Sequence, residues 1–309
     1  MRGRRQALIG NEERGFVIVP VLWILLMLAS LAGILSVYLA NTAVALSLND
    51  DRLRSVALVS AGLELTAYQL SSAAKPTRPT TGTFFFRLDH ARVSVVFSSE
   101  SARIDLNLAS KEMLTNFFAV LGAEPRDAGR YADRVVGWRT PPTEDTLEGE
   151  NSLYRAAGAR YLPRGAPFAN VDELWLVLDL PPVLIERAMP FVTVFSGLPD
   201  INVLDAAPEV VASLPGMTPA MLDAFLKQRP NLPRDDRAIA EALGQAQTGA
   251  SVQGSDAVRV RTTIAFDGGR QAGTEAVILL DAGDEPYRIL SWRDEADMGP
   301  VRAREGRTL

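Results

Sequence analysis

From Phe16 to Asn49 the chain carries no charged side chain, and the stretch FVIVPVLWILLMLASLAGILSVYLA is apolar over more than twenty residues. About 20 such residues span the hydrocarbon core of a bilayer. The pattern then changes. Leu53, Val56, Ala57, Ser60, Leu63, Ala67 and Leu70 recur at three- and four-residue steps, which predicts one apolar helix face over residues 50–71. Lys75-Pro76 and Pro79 stop that helix. A single helix over residues 16–71 would be about 80 Å long at 1.5 Å per residue. Its first half suits lipid and its second half suits packing on a soluble domain.

Next, Phe84, Phe86 and Leu88 alternate with Phe85, Arg87 and Asp89, and Val93, Val95 and Phe97 alternate with Ser94 and Ser98. This period of two predicts a hairpin turning near Asp89-His90-Ala91. From about 105 to 250 the spacing is helical, as in Met113, Leu114, Phe117, Phe118, Val120 and Leu121, or Met221, Leu222, Phe225 and Leu226. Phe191–Phe195 reads as a short strand, residues 146–167 as a long loop around Tyr154 and Tyr161, and residues 245–255 as a flexible linker. Val258, Val260, Thr262 and Ile264, then Ala276 to Leu280, then Tyr287 to Trp292 predict a three-stranded meander with turns at Asp267-Gly-Gly and Ala282-Gly-Asp. The helical block is therefore inserted into a sheet shared by the first hairpin and the last meander, and the fold class is α+β.

Composition narrows the chemistry. A chain of 309 residues with 47% apolar residues has room for about two compact units. There is no cysteine and one histidine, His90, so thiolate chemistry and multi-histidine metal sites are excluded. His90 falls in the hairpin turn and reads as a solvated residue, and no nucleophile–base pair is identifiable. The net charge of −5 argues against a general polyanion binder.

The N-terminus has three readings. Arg2, Arg4, Arg5 and Arg14 precede the apolar run and favour a cytoplasmic N-terminus. A cleavable secretory signal would use Ala43-Val44-Ala45, but the apolar run is long for one. A plain signal anchor fits the length. The junction Arg14-Gly15-Phe16 resembles a prepilin-type leader, in which a peptidase cuts after the glycine and the new N-terminal residue is methylated. That likeness implies cleavage after Gly15 and methylation of Phe16.

Two segments echo each other: Ile104-Asp-Leu-Asn-Leu-Ala and Ile201-Asn-Val-Leu-Asp-Ala. Each precedes an apolar helix, with Asn107 or Ser110 as candidate cap of the first and Asp205 of the second. Glu112 and Glu209 fall near the helix starts, where the dipole favours them. The second echo runs into Leu214-Pro-Gly-Met-Thr-Pro-Ala-Met-Leu, which looks like half of a helix-hairpin-helix. A membrane-anchored DNA receptor is the alternative function from this motif. The chain's few lysines, at 75, 111 and 227, speak against it.

In order, these pieces resemble the minor pseudopilin K family of the type II secretion system. The residues carrying the likeness are Arg14-Gly15-Phe16, Val19-Pro-Val-Leu-Trp23, Ile104 to Leu114, Glu150-Asn-Ser-Leu-Tyr154, Ile201 to Pro215, and Ile289-Leu-Ser-Trp-Arg. The resemblance implies a leader (1–15), a membrane helix (16–40, with Phe16, Pro20 and Trp23), its periplasmic continuation (41–72), a pilin-like hairpin (73–103), an inserted helical domain (104–250) and C-terminal strands with a tail (251–309). It implies a non-enzymatic protein of the inner membrane, N-terminus cytoplasmic and bulk periplasmic. Its partners would be prepilin peptidase, minor pseudopilins I and J and other pseudopilins, but no nucleic acid. Pro20 stands at the fifth mature position, where major pilins place a glutamate, and that suits the filament tip. The family often carries Asp-Trp-x-Asp-x-Asp before its Glu-Asp-x-x-Tyr segment, a region associated with calcium. Here the first segment is Gly137-Trp138-Arg139-Thr140-Pro141-Pro142, which lacks those oxygen ligands. Glu144, Asp145, Glu148 and Glu150 are the remaining calcium candidates, and a solvated acidic loop is the favoured reading.

Overall fold

The computed structural model describes residues 18–141, 149–283 and 285–294. The chain divides into two compact units, Met1–Ala57 and Leu58–Leu309. Helix α1 spans Ile18–Ser71. In the first unit, every residue from Ile18 to Leu39 is exposed and none is charged.

In the second unit, α1 buries Leu58, Val59, Leu63, Ala67 and Leu70, together with Gly62 and Thr66. The expected stripe is thus present from Leu58 onward, but Leu53 and Val56 are exposed. Val56 shares the stripe's angular phase and Leu53 lies off it, so phase alone does not bury a side chain without an opposing surface. Gly62 allows a close approach, because a Cβ there would lie 3.1 Å from Val95 Cγ2.

The opposing surface is an antiparallel sheet. Strands β1 (Thr81–Leu88) and β2 (Ala91–Ser99) form the hairpin. Asp89 and His90 turn it with φ of 46° and 58°, the doubly positive geometry of a type I′ turn. His90 is exposed in this turn. Val93, Val95 and Phe97 point to the α1 side and are buried, while the alternate residues face away. Leu88, expected inside, is exposed beside the turn.

Residues 100–256 leave the sheet. They contain β3 (Ile104–Asp105), α2 (Lys111–Val120), α3 (Pro125–Arg139), α4 (Gly149–Ala156), α5 (Pro182–Ala188), β4 (Val192–Thr193), β5 (Ile201–Asn202), α6 (Pro208–Ala212), α7 (Pro219–Gln228), α8 (Asp236–Leu243) and β6 (Ala250–Ser251). The chain then returns as β7 (Ala257–Phe266), β8 (Gln271–Ala282) and β9 (Glu285–Asp294). The sheet order is β1-β2-β7-β8-β9. Ser99 at the end of β2 pairs with Val258 at the start of β7, so the block leaves and re-enters at cross-strand neighbours. The expected shared sheet and C-terminal meander are both present.

The helical block has its own core, including Leu114, Phe117, Phe118, Val135, Trp138, Tyr154, Leu174, Val210 and Phe225. Two expectations are corrected here. Residues 149–156, read as loop, form α4 and bury Tyr154 completely. Their apolar signal is only Leu153-Tyr154, too short to show a period. Residues 245–255, read as a flexible linker, are tied down. Ala250–Ser251 pairs with β5, the Ser255 amide donates to Ser99 Oγ at 2.8 Å, and its hydroxyl donates to Ser196 O at 2.6 Å. Small polar residues look like linker in sequence, yet here they satisfy buried backbone groups.

The two echoes are structurally equivalent. β3 pairs with β4 and β5 with β6, both in parallel. After each first strand the chain makes the same turn, Ala109 N donating to Asp105 O and Ala206 N to Asn202 O. A distant arginine then closes each turn. Arg139 donates to the carbonyls of Leu106 and Ala109, and Arg229 donates to those of Val203 and Ala206. Ser110 caps α2 by accepting from Met113 N at 3.1 Å. Asn107 instead bridges to the backbone of Phe168. Asp205 does not cap α6, whose N-cap is Ala207 without a side-chain bond. Pro208 opens that helix and has no N–H to satisfy, and Asp205 is bound by Thr80, Asn202 and Arg234.

Candidate functional site

Three places in the chain bear on function. The first is the apolar segment Ile18–Leu39, 22 residues with a mean hydropathy of 2.6. At 1.5 Å per residue this is about 33 Å of helix, enough for a hydrocarbon core by length and composition. Pro20 lies in the first turn of α1 as described, where a missing N–H costs no helical bond. Trp23 is fully part of the exposed helix surface. Gly15 and Phe16 lie outside the described residues.

The second place is the junction between the sheet and the helical block. Glu100, 0% exposed, sits in the 3-10 turn directly after β2. Arg259 of β7 grips it with two bonds, Nε to Oε1 at 2.7 Å and Nη2 to Oε2 at 3.0 Å. Thr193 of β4 donates to the same carboxylate, and Arg103 approaches at 3.3 Å. Arg259 also binds Glu275 of β8 at 2.6 Å, and Arg261 binds the other oxygen of Glu275 at 2.6 Å. Burial pushes the Glu100 carboxyl up, but Arg259 and Arg103 outweigh it and hold it below the usual carboxylate range. Glu275 is lowered by the same balance. Burial outweighs Glu100's attraction at Arg103 and brings its guanidinium down to about 10. The network joins the turn after β2 to β4, β7 and β8, so it fixes the block against the sheet.

Sequence reading missed this network. Arg259, Arg261 and Glu275 occupy alternate positions that look like the solvated face of strands. The only hint was Glu100 immediately after an apolar strand.

The third place is the contact of α3 with α4, which contains the expected Glu150. Arg134 Nη1 donates to Glu150 Oε2 at 2.5 Å, both side chains being largely buried. The carboxylate lies over Gly137, where a Cβ would come within 2.7 Å of Glu150 Cδ. Among the described residues, Glu150 Oε1 and Arg134 Nε are buried without a hydrogen-bond partner. Burial raises the Glu150 carboxyl and Arg134 only partly offsets this. Tyr154, one turn on, donates weakly to Leu176 O and accepts from Leu178 N at 2.9 Å, and burial pushes its phenol up to about 12. Trp138, Tyr154, Tyr161 and Phe168 pack as one aromatic cluster around it.

Does calcium fit here? Calcium takes six to eight oxygen ligands. Glu150 offers one oxygen not bonded among the described residues, its other being taken by Arg134. Asp133 nearby is paired with Lys111 at 2.6 Å. Among the described residues no group of three or more metal-ligating side chains converges. Glu144, Asp145 and Glu148 lie outside the described residues. The described residues of this surface do not supply the ligands that the ion needs.

Residues 95–197 match the family described as Type II secretion system (T2SS), protein K. The match covers about a third of the chain. It runs from the middle of β2 through the first echo, Arg139, Glu150 and the aromatic cluster, to Gly197. A search of curated proteins finds no match. The fold is similar to a chain in the crystal structure of the GspK-GspI-GspJ complex from the enterotoxigenic Escherichia coli type 2 secretion system, with a TM-score of 0.60 and 18% identity, covering 80% of this chain and 97% of that one. The α+β architecture expected from sequence is therefore shared with a solved protein. The glycine turn that suggested DNA binding is a plain helix connection. Gly216 takes φ 76°, Thr218 caps α7, and Lys227 is paired with Asp223 at 2.6 Å. Nothing in this geometry favours the DNA reading.

Proposed function

We propose that this chain is a minor pseudopilin of the type II secretion system, placed at the pseudopilus tip and active in starting its assembly for export of folded proteins. The protein K family match at 95–197, set within a fold that aligns over 80% of the chain with the GspK-GspI-GspJ crystal structure, carries this reading. Its partners are minor pseudopilins I and J. Ile18–Leu39 anchors it in the inner membrane as a single pass, with the N-terminus cytoplasmic and the remainder periplasmic. Prepilin peptidase cuts after Gly15 and Phe16 becomes the methylated N-terminus. The role is one of assembly and not of enzyme chemistry.

Physics supports the anchor and the tip together. The segment has no carboxylate to neutralise a neighbouring subunit's N-terminal amine, and Pro20 stands where one would be. The helical block adds bulk that a subunit stacked above would have to displace.

The test is co-purification of the full chain with minor pseudopilins I and J of the same system from detergent-solubilised membranes, with mass spectrometry of its N-terminus. The expected result is a ternary complex and a chain starting at methylated Phe16. A chain that starts at Met1 in cells with active prepilin peptidase, and that brings down neither partner, would overturn the proposal.

A further inference from the structure

The resemblance associates the region around Trp138 with calcium, although a solvated acidic loop is the reading favoured from this sequence, and the structure puts a different positive charge there. The positions matching the family's three aspartates are Gly137, Thr140 and Pro142. At the first, the space that a side chain would take is filled by the carboxylate of Glu150, which would meet a Cβ at 2.7–2.8 Å. The Thr140 hydroxyl is committed to Val136 O at 2.6 Å. The charge of Glu150 is met by Arg134 from the preceding turn of α3, at 2.5 Å, with the two side chains 14% and 21% exposed. Both ends of the pair sit on helices, so the contact clamps α3 to α4 directly. Behind it lies the aromatic cluster of Trp138 and Tyr154, which any loosening of α4 would open.

We propose that Arg134 does in this chain the work of a bound cation: its guanidinium, paired with Glu150 over the bare Cα of Gly137, holds α4 on α3, and the helical block needs no calcium to fold. A guanidinium suits this role because it is always charged and meets a carboxylate without the six or more ligands calcium demands. The substitution is coherent within the sequence. The aspartate positions hold no carboxylate, the glycine admits Glu150, and Arg134 pairs with one of its oxygens. This inference concerns the cation requirement of the fold and stands apart from the tip role.

Thermal unfolding of the full chain in detergent micelles tests it, in millimolar calcium and in excess EGTA. The expected result is a Tm equal in the two within about 1 °C, and a Tm lower by about 5 °C for Arg134→Met, since breaking a part-buried pair strands the remaining charge. Adding Glu150→Gln to Arg134→Met recovers part of that loss. A wild-type Tm that falls by several degrees in EGTA overturns the proposal, and so does an Arg134→Met variant as stable as the parent. Should Arg134→Met fail to fold, Arg134→Lys keeps the charge and folds, while the EGTA comparison on the wild type still decides.

Discussion

At the scale of single residues, the strongest consequences come from Glu100. It is wholly buried, and its charge is tolerated only because Arg259 meets it with two bonds. Removing one partner of such a pair typically costs about 3–5 kcal/mol, because the other charge is left stranded. Arg259→Met should therefore lower stability by about that much in urea unfolding, and Glu100→Gln by somewhat less; a loss under about 1 kcal/mol for Arg259→Met would contradict the role assigned to the network. The same residues set a pH dependence. Glu100 and Glu275 are held below their ordinary value of 4.5, so the folded state binds fewer protons than the unfolded one. Their contribution is complete above that value and is lost as pH falls through the lowered ones. Glu150, raised by burial, acts with the opposite sign but is a single group. Unfolding free energy measured across the acid range should fall steeply below about pH 4.5 in the parent and less steeply in Glu100→Gln. Gly82 offers a steric test. A Cβ there would lie 2.4 Å from the Phe97 ring, so Gly82→Ala should cost about 1–3 kcal/mol although it sits on an edge strand.

At the scale of elements, α1 offers a test of phase. Leu63 is 1% exposed on the sheet-facing stripe and Leu65 is 39% exposed on the other side. Leu63→Ala should cost about 2–4 kcal/mol and Leu65→Ala less than about 0.5 kcal/mol. Equal losses would mean that the helix packs in a different rotation. The paired turns after β3 and β5 give a second comparison. Arg139→Met and Arg229→Met each strip two carbonyls of their bonds, and each should cost about 1–3 kcal/mol. What was legible in sequence follows from what patterns encode. The hairpin around Asp89-His90, the meander and the inserted block were readable because alternation and helical spacing record which face is buried. The exposure of Leu53 and Val56 was not readable, since burial depends on a partner surface that periodicity does not reveal. Likewise α4 was missed because one buried tyrosine carries it. The segment 245–255 was misread because Ser255 acts through hydrogen bonds to Ser99 and Ser196, more than fifty residues away in sequence. At the sites, Glu150 was noted for its charge, but its partner Arg134 and the entire Glu100 network were invisible, because ion pairs between distant elements leave no local signal.

At the scale of the whole molecule, the insertion defines a separable piece. Ser99 and Val258 face each other across β2 and β7, so a short turn can join them. Replacing residues 100–256 with such a turn should leave a five-stranded sheet with the α1 stripe still buried, as read from circular dichroism and dispersed amide resonances of the shortened chain. A molten product would show that the block supplies stability the sheet lacks. The same joint governs how the chain folds. Pairing β2 with β7 closes a loop of about 160 residues, whose entropy cost is large if the intervening chain is loose and small once it is compact. The block should therefore condense first and deliver β7 to a waiting hairpin. Until it does, the inner edge of β2 stands open with its apolar Val93, Val95 and Phe97 beside unpaired amides, a template for joining another chain. A nascent chain halted before Ala257 would carry that open edge, and holding it apart from its neighbours during synthesis is the demand this topology places on the cell.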